Sequence, residues 1–241
     1  MKGIILAAGL GKRLWALTQH IPKPMLKVGD WPIIEYTIRL FKKYGIKDII
    51  INLHYKPKII TDYLKYGKEL GVNITYSYER RLLGTAGAIK KVESLLKKTF
   101  LVAYGDTLRN INISEMLREH KKNKADVTIA VYRVGNSKDP GIVKMRSDNS
   151  IYAFIEKPKR IPNRRKSFAN GGTYILEPRV LQSIPKGSRY DFASDLFPLL
   201  LNEKGKYRIY GYPVKSYLLD IGAPDSYTKA KNIFRFFKRD I

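Results

Sequence analysis

The pattern of apolar and polar residues along the first half of the chain predicts strands that alternate with helices. Short apolar runs predict strands at residues 2–8, 48–53, 74–78 and 100–104. Apolar residues at helical spacing predict helices at residues 33–41, 57–70 and 86–97. Strands that alternate with helices over short connections are typical of an α/β fold, with a mostly parallel central sheet covered by helices on both faces.

The pattern changes beyond about residue 125. Three strand-like runs, at residues 127–132, 142–145 and 151–155, are separated by turn residues, which predicts antiparallel hairpins. The Pro- and Arg-rich residues 158–166 predict an exposed loop. The sequence shows no internal repeat and no low-complexity linker. We therefore expect one domain over residues 1–241, in which the parts 1–125 and 126–241 differ in strand pattern.

The composition is strongly basic, with 46 Lys and Arg against 21 Asp and Glu and a formal net charge of +25. Such a charge suggests nucleic-acid binding, but the lysines are scattered as pairs along the predicted helices, and no nucleic-acid module signature accompanies them. We therefore expect a solvated lysine-rich surface and no nucleic-acid partner. The chain has no cysteine, which excludes disulfides, cysteine-ligated zinc and a thiol nucleophile.

Two segments bear on membrane contact. The apolar start of the chain is too short for a secretory leader and runs into Gly-rich, basic sequence without a cleavage site. No stretch reaches the ~20 apolar residues that span a bilayer. We expect a cytoplasmic protein without integral membrane contact. The basic, aromatic residues 233–239 are compatible with an interfacial helix, with packing on the chain's own domain, or with a second subunit in a homo-oligomer.

The first candidate site is Gly9-Leu10-Gly11-Lys12-Arg13, which directly follows the first predicted strand. Glycines let backbone amides approach a phosphate chain, and the two cations supply charge. The spacing is neither that of a Walker loop nor that of a complete dinucleotide fingerprint, so a plain tight turn remains an alternative. Further on, prolines on both sides of Lys23 stiffen the backbone from which its side chain starts.

Residues 6–27, LAAGLGKRLWALTQHIPKPMLK, resemble the N-terminal signature of the sugar nucleotidyltransferase (NDP-sugar pyrophosphorylase) family. Further family motifs follow in order at residues 83–88, 104–106, 156–158, 170–172 and 217–222. The resemblance implies a Rossmann-like fold of the nucleotide-diphospho-sugar transferase type, with nucleotide bound mainly by residues 1–125 and sugar phosphate mainly by 126–241. Many relatives append a β-helix or an acyltransferase domain, and we expect neither in this chain.

The resemblance also implies catalytic roles. In relatives, carboxylates at the positions of Asp106 and Asp220 hold Mg²⁺, while the cations at Arg13 and Lys23 stabilise the triphosphate and the departing pyrophosphate. The reaction is a single displacement in which a sugar-1-phosphate oxygen attacks the α-phosphorus of the nucleotide. Structural alternatives remain open, because Asp106 is also compatible with a cap and Asp220 with a turn.

Binding roles follow from the same resemblance. The nucleotide-binding positions are Leu6, Ala8, Gly9, Gly11, Lys12, Arg13, Lys23, Glu79, Gly84 and Thr85. The sugar-phosphate positions are Gly141, Glu156, Lys157 and Asn170, with Lys157 on the phosphate and the others on sugar hydroxyls. Glu156 is also compatible with a simple ion pair to Lys157 or Arg13.

The base preference depends on Glu79. Relatives that select uracil or thymine commonly carry Gln five residues before the glycine that is Gly84 in this chain. A carboxylate only accepts hydrogen bonds, and guanine offers N1–H and the 2-amino group side by side. We therefore expect GTP. The sequence of residues 83–88 also resembles the mannose-1-phosphate guanylyltransferase branch of the family, although Leu82 stands where that branch often has proline.

The sequence leaves other functions open. The favoured reaction uses GTP and mannose 1-phosphate, or a related manno-configured sugar. One alternative is a UTP- or dTTP-dependent enzyme acting on glucose 1-phosphate or an amino-sugar 1-phosphate. Another is a non-catalytic homologue that binds nucleotide sugar. Loss of a metal carboxylate or of the Pro-Lys-Pro lysine would favour the non-catalytic alternative, and Asp106, Asp220 and Lys23 are all present.

Overall fold

The computed structural model describes residues 1–134, 141–155 and 167–237. Its strands are β1 (Lys2–Leu6), β2 (Lys27–Val28), β3 (Trp31–Pro32), β4 (Asp48–Leu53), β5 (Asn73–Tyr78), β6 (Phe100–Tyr104), β7 (Thr107–Arg109), β8 (Val127–Arg133), β9 (Ile142–Met145), β10 (Ile151–Ile155), β11 (Phe168–Leu176), β12 (Ile209–Pro213) and β13 (Leu218–Asp220). Its α-helices are α1 (Trp15–Thr18), α2 (Ile33–Lys43), α3 (Pro57–Leu64), α4 (Gly84–Lys91), α5 (Ile113–Lys122), α6 (Phe197–Asn202) and α7 (Pro224–Phe237).

The described chain forms a mixed α/β fold that groups into two compact units, each built from separate segments. The first unit contains Met1–Leu82, Val102–Asn110 and Ser216–Ile241, and the second contains Leu83–Leu101 and Ile111–Lys215. The single domain over residues 1–241, divided near residue 125, stays a prediction.

The first unit carries the predicted parallel sheet. Its strand order is β6-β1-β4-β5, and the pairs β1/β4 and β4/β5 are parallel. Close packing of helix on sheet depends on Gly3, because a Cβ there would lie 2.5 Å from the ring of Phe41 in α2. The carboxyl ends of the parallel strands lie at one edge of the sheet, which is where ligands of α/β sheets commonly bind.

The second unit confirms the predicted hairpin of the runs at 142–145 and 151–155, whereas the run at 127–132 pairs with β11 and β12 rather than with its neighbour in sequence. Strands β9 and β10 form an antiparallel pair, β11 pairs antiparallel with both β9 and β8, and β12 pairs parallel with β8. The core of this unit includes an aromatic cluster in which Tyr174, Phe192 and Phe197 pack with ring centroids 4.9–5.4 Å apart. The predicted loop at residues 158–166 lies outside the described residues.

Three predicted elements end earlier in the structure than the sequence pattern predicts. The helix predicted at 57–70 ends at Leu64, because Lys65 and Gly67 have left-handed φ angles of 47° and 80°, which an α-helix does not accommodate; a 3-10 turn follows at Lys68–Leu70. The helix predicted at 86–97 is α4 plus a 3-10 turn at Glu93–Leu95. The strand predicted at 2–8 ends at Leu6, and the Ala7 amide instead donates to the side chain of Asn52.

Candidate active site

The Gly-rich segment after β1 forms a tight turn whose backbone borders a cavity. Gly11 has a left-handed φ of 68°, and its carbonyl oxygen accepts hydrogen bonds from the Leu14 amide at 2.9 Å and the Thr18 hydroxyl at 3.0 Å. At Gly9 a Cβ would meet no atom within 4 Å, so the backbone there faces open space. The turn is therefore held firmly on one side and is open to a ligand on the other.

The cavity beside this turn has a volume of about 210 Å³ and lies within the first unit. Seven of the predicted site residues line it, namely Leu6, Gly9, Gly11, Lys12, Arg13, Lys23 and Asp106. Ala7, Leu14, Pro24 and Gly222 complete the lining. The structure thus brings the glycine turn, three cations and one predicted metal carboxylate to one cavity.

Lys23 joins the two predicted metal carboxylates. Its Nζ lies 2.7 Å from Oδ2 of Asp106 and 3.5 Å from Oδ1 of Asp220. The lysine side chain is 9% exposed, whereas those of Asp106 and Asp220 are 29% and 51% exposed. A buried ammonium therefore holds two carboxylates that remain accessible to solvent and to a ligand.

Strand pairing explains why two acids so distant in sequence meet. Strands β7 and β13 pair antiparallel, with Thr107 opposite Asp220, and the Ile221 amide donates to the Asp106 carbonyl at 3.1 Å. Asp106 directly precedes β7 and Asp220 ends β13. The two carboxylates consequently lie side by side, as the mechanism implied by the resemblance requires.

The three charges shift one another's proton affinity. Burial works to lower the pKa of Lys23, but the charges of Asp106 and Asp220 outweigh it and raise that pKa above its ordinary value. Burial works to raise the pKa of Asp106, but Lys23 and Arg109 hold it below its usual range. For Asp220, partial burial and the negative charge of Asp106 raise the pKa. The opposite shifts of the two acids reflect their mutual repulsion.

Gly222 is a site residue that the residue-level prediction missed, although the motif at residues 217–222 contains it. A Cβ at this position would lie 2.7 Å from Oδ2 of Asp220 and 3.0 Å from Nη2 of Arg13. Because Gly222 has no side chain, Arg13, which is predicted to bind the triphosphate, and Asp220, a predicted metal ligand, can both approach its backbone.

The acid pair fits a hard divalent cation. Carboxylate oxygens are the protein ligands of Mg²⁺, which usually takes one or two of them and completes its shell with water and substrate phosphates. Among the described residues, no group of three or more His, Cys, Asp or Glu side chains is placed to hold a metal ion. Two carboxylates beside the glycine turn therefore suit a divalent cation that also takes phosphate oxygens.

Glu79 occupies a different position from the residues that line the cavity. It is 5% exposed and directly follows β5. Its Oε1 accepts a hydrogen bond of 2.6 Å from the Asn52 amide, whose Oδ1 in turn accepts the Ala7 amide at 2.7 Å. Sequence reasoning did not single out Asn52, because nothing in its local sequence signals a contact with residues 7 and 79.

The predicted nucleotide residues Gly84 and Thr85 lie in the second unit, where residues 190–192 enclose them. Gly84 has a left-handed φ of 73°, and a Cβ there would lie 2.5 Å from the Tyr190 carbonyl oxygen. The Thr85 amide and hydroxyl both donate to Oδ1 of Asp191, at 2.9 and 3.1 Å, and the hydroxyl accepts the Phe192 amide at 2.8 Å. The polar groups of Thr85 are thus engaged within its own unit.

Two predicted sugar-phosphate residues also meet within the second unit. The backbone amide of Asn170 donates to the Gly141 carbonyl oxygen at 2.9 Å. The Asn170 side chain accepts the Gly172 amide at 3.1 Å and donates to the Tyr174 hydroxyl at 2.9 Å, at an irregularity in the pairing of β11 with β8. Glu156 and Lys157 lie outside the described residues. Gly141 and Asn170 therefore form one local structure, on which a sugar site remains a prediction.

A second cavity of about 560 Å³ in the first unit is lined by α2 and the segment after α3. Its buried acid, Glu35, accepts hydrogen bonds from Arg39 at 2.8 Å and from the Tyr63 hydroxyl at 2.6 Å. The Arg39 guanidinium also lies 3.8 Å from the ring centroid of Trp31. These polar groups satisfy one another, and we assign no chemistry to this cavity.

A family model described as nucleotidyl transferase matches residues 2–235. The chain belongs to the nucleotidyl transferase family. The resemblance stated from the sequence is confirmed, and members of this family generally use a divalent metal ion. Among the helices within the described ranges, none combines the length and apolar character needed to cross a membrane.

Curated relatives include mannose-1-phosphate guanyltransferase 2 of Candida glabrata, 34% identical over 240 residues, which cover 97% of this chain and 64% of the relative. Mannose-1-phosphate guanylyltransferase of Mycobacterium tuberculosis is 34% identical over 227 residues, which cover 94% of this chain and 62% of the relative. The chain thus spans less than two thirds of the length of these relatives.

Solved structures share the fold over nearly their full length. HddC of Yersinia pseudotuberculosis superposes with a TM-score of 0.81 at 28% identity, covering 97% of this chain and 99% of that one. The same protein complexed with GMP-PN gives a TM-score of 0.79. A Bacillus anthracis structure described as a putative glucose-1-phosphate thymidylyltransferase gives 0.86 at 24% identity, covering 98% of this chain and 95% of that one, and indicates the fold alone. The predicted fold class is confirmed.

Proposed function

We propose that this protein transfers a guanylyl group from GTP to mannose 1-phosphate, or to a related manno-configured sugar 1-phosphate, giving GDP-sugar and pyrophosphate. One observation carries the proposal: Lys23 bridges Asp106 and Asp220 at a cavity bordered by the glycine turn. Cations and carboxylates that meet beside open backbone suit a reaction in which two phosphate-bearing substrates must be brought together.

The chemistry is a displacement at phosphorus. An ionised oxygen of the sugar phosphate attacks the α-phosphorus, a new P–O bond forms, and the bond to the β-phosphate oxygen breaks as pyrophosphate leaves with the electron pair. No general base is required, because the attacking oxygen carries no proton near neutral pH. Catalysis therefore depends on positioning and on positive charge.

The predicted site residues in and beside the first-unit cavity have distinct roles in this reaction. Asp106 and Asp220 would hold Mg²⁺, which supplies positive charge against the phosphate oxygens when bound. Arg13 and Lys23 neutralise the triphosphate and the leaving pyrophosphate. Lys12 and the backbone from Gly9 to Gly11 bind the phosphate chain, with Leu6 and Ala8 beside the nucleotide.

The choice of guanine rests on Glu79 and on the relatives. A carboxylate accepts N1–H and the 2-amino group of guanine, whereas the carbonyl oxygens of uracil and thymine would face its lone pairs. The curated relatives are named guanylyltransferases, and the HddC structure was solved with GMP-PN. We also propose that the turn at Gly84 and Thr85 binds nucleotide, with the Thr85 hydroxyl holding the shape of that turn through Asp191 and Phe192.

The sugar assignment rests on those names and on the segment around Asn170. We propose that Asn170, Glu156 and the backbone at Gly141 bind sugar hydroxyls, and that Lys157 binds the sugar phosphate. Nucleoside triphosphates and phosphorylated sugars are cytoplasmic metabolites, so we also propose that the protein works in the cytoplasm.

A pyrophosphate-release assay tests the proposal. The purified protein with Mg²⁺ is supplied with each of the four nucleoside triphosphates and with mannose, glucose, N-acetylglucosamine or heptose 1-phosphate. We expect the fastest release with GTP and a manno-configured sugar, and loss of release in Asp106→Asn. Lys58→Met is the control, because Lys58 is an exposed lysine paired with Asp62.

Two outcomes contradict the proposal. Preference for UTP or dTTP with glucose or an amino-sugar phosphate would replace the substrates and keep the reaction. No release with any pair of substrates would make the protein a nucleotide-sugar-binding homologue without catalysis.

A further inference from the structure

One side chain of the first unit connects the ends of three adjacent strands. Asn52 lies near the end of β4, the strand between β1 and β5, and is 5% exposed. Its Oδ1 accepts the amide of Ala7, the residue after β1, at 2.7 Å. Its Nδ2 donates to Oε1 of Glu79, the residue after β5, at 2.6 Å.

The two contacts require a side chain that accepts on one side and donates on the other. An amide does both within one plane, while a carboxylate only accepts and an apolar side chain does neither. Buried hydrogen bonds are costly to break, and Asn52 makes one with the Ala7 amide and one with the Glu79 carboxylate. The chemistry of the position therefore selects Asn.

We propose that Asn52 is a positioning residue that decides which face of the side chain at position 79 is turned to the base. With Oε1 held by the Asn52 amide, the direction of the second carboxylate oxygen is fixed. The same amide fixes Ala7 at the start of the glycine turn, so base recognition and phosphate placement share one support. This inference rests on the proposed function, in which Glu79 recognises guanine.

Reversing the polarity of the hydrogen bond tests the inference. In Glu79→Gln, Asn52 still donates to the Gln oxygen, which turns the Gln amide nitrogen toward the base. A hydrogen-bond donor at that place favours uracil. We therefore expect the preference for GTP over UTP to fall about tenfold or more. In the double variant Asn52→Asp with Glu79→Gln, the introduced carboxylate accepts from the Gln nitrogen and turns the Gln oxygen toward the base. We expect the preference for GTP to return in part.

The single variant Asn52→Asp completes the cycle. The introduced carboxylate still accepts the Ala7 amide but faces Glu79 with like charge, so KM for GTP is expected to rise about tenfold or more with a smaller change in kcat. The midpoint of thermal unfolding should fall in Asn52→Asp and recover in the double variant. If the role of Asn52 is purely structural, the double variant recovers the unfolding midpoint but keeps the ratio of GTP to UTP use that Glu79→Gln shows.

The outcomes separate the two proposals. If Glu79→Gln keeps the wild-type preference for GTP, base recognition by Glu79 fails, and with it that part of the proposed function. If Glu79→Gln loses the preference and the double variant behaves like Glu79→Gln alone, the positioning role of Asn52 is overturned while the proposed function stands. Return of GTP preference in the double variant supports both.

Discussion

The two units handle their polar site residues in different ways. In the first unit, Arg13, Lys23 and Asp106 line a cavity, and the charges of Lys23 and Asp106 shift each other's pKa. In the second unit, Thr85 and Asn170 form their hydrogen bonds with neighbouring residues of the same unit. The first arrangement supplies electrostatics that are preorganised for a charged ligand, whereas the second builds rigid local shape. Changes to the charged side chains of the first-unit cavity should therefore affect chemistry most, whereas loss of the Thr85 hydroxyl in the second unit should mainly affect stability.

The largest effect is expected for Lys23→Met. The change removes the ammonium between Asp106 and Asp220 and the positive charge for the departing pyrophosphate, so kcat/KM should fall about 10²–10³-fold. Steady-state pyrophosphate release measures it, with Lys58→Met as the matched surface lysine. An activity loss below about tenfold would mean that the cavity of the first unit is not where the reaction occurs.

A smaller loss is expected for Gly222→Ala. The added Cβ would lie 2.7 Å from the Asp220 carboxylate and 3.0 Å from Arg13, so the Asp220 carboxylate must move. A displacement of about 1 Å at such a site lowers activity up to about 100-fold. The same assay, with thermal unfolding as a check on folding, measures the effect. Wild-type activity in a folded Gly222→Ala variant would show that the approach of Arg13 to Asp220 is unimportant.

Acid should weaken metal binding through Asp220. The pKa of this carboxyl is raised above its ordinary 3.8, and a proton competes with a divalent cation for the same oxygens. Mg²⁺ affinity is therefore expected to fall as the pH is lowered toward that raised pKa, at pH values above 3.8. Calorimetric titration at several pH values measures this. Asp220→Asn should bind Mg²⁺ more weakly and with less pH dependence. If the pH dependence is unchanged in this variant, a group other than Asp220 causes it.

The smallest effect on catalysis is expected in the second unit, for Thr85→Val. The loss of the hydroxyl leaves Asp191 and the Phe192 amide with one partner fewer, which should lower the free energy of unfolding by about 1–3 kcal/mol. Activity should fall less than about tenfold. Urea denaturation and pyrophosphate release test the two parts, and Thr85→Ser, which keeps the hydroxyl, is the control. Wild-type stability with a much higher KM for GTP would instead indicate direct contact with the nucleotide.

Local sequence patterns determined much of this protein. The apolar runs predicted β4 and β6 with their observed bounds, since strand periodicity is a short-range property. The glycine turn and Pro22-Lys23-Pro24 were recognisable because their conformational demands are encoded in adjacent residues. The end of α3 at Leu64 was missed, because the left-handed backbone at Lys65 is unusual for that residue type.

Only the tertiary structure decided which side chains meet. The pairing of β7 with β13 places Asp220 beside Asp106, and the order of β1, β4 and β5 places Asn52 between Ala7 and Glu79. No local pattern contains these contacts, because strand pairing joins residues far apart in sequence and its register is set by packing across the whole sheet. The sequence supplied the charged and amide groups, and the sheet topology supplied their distances.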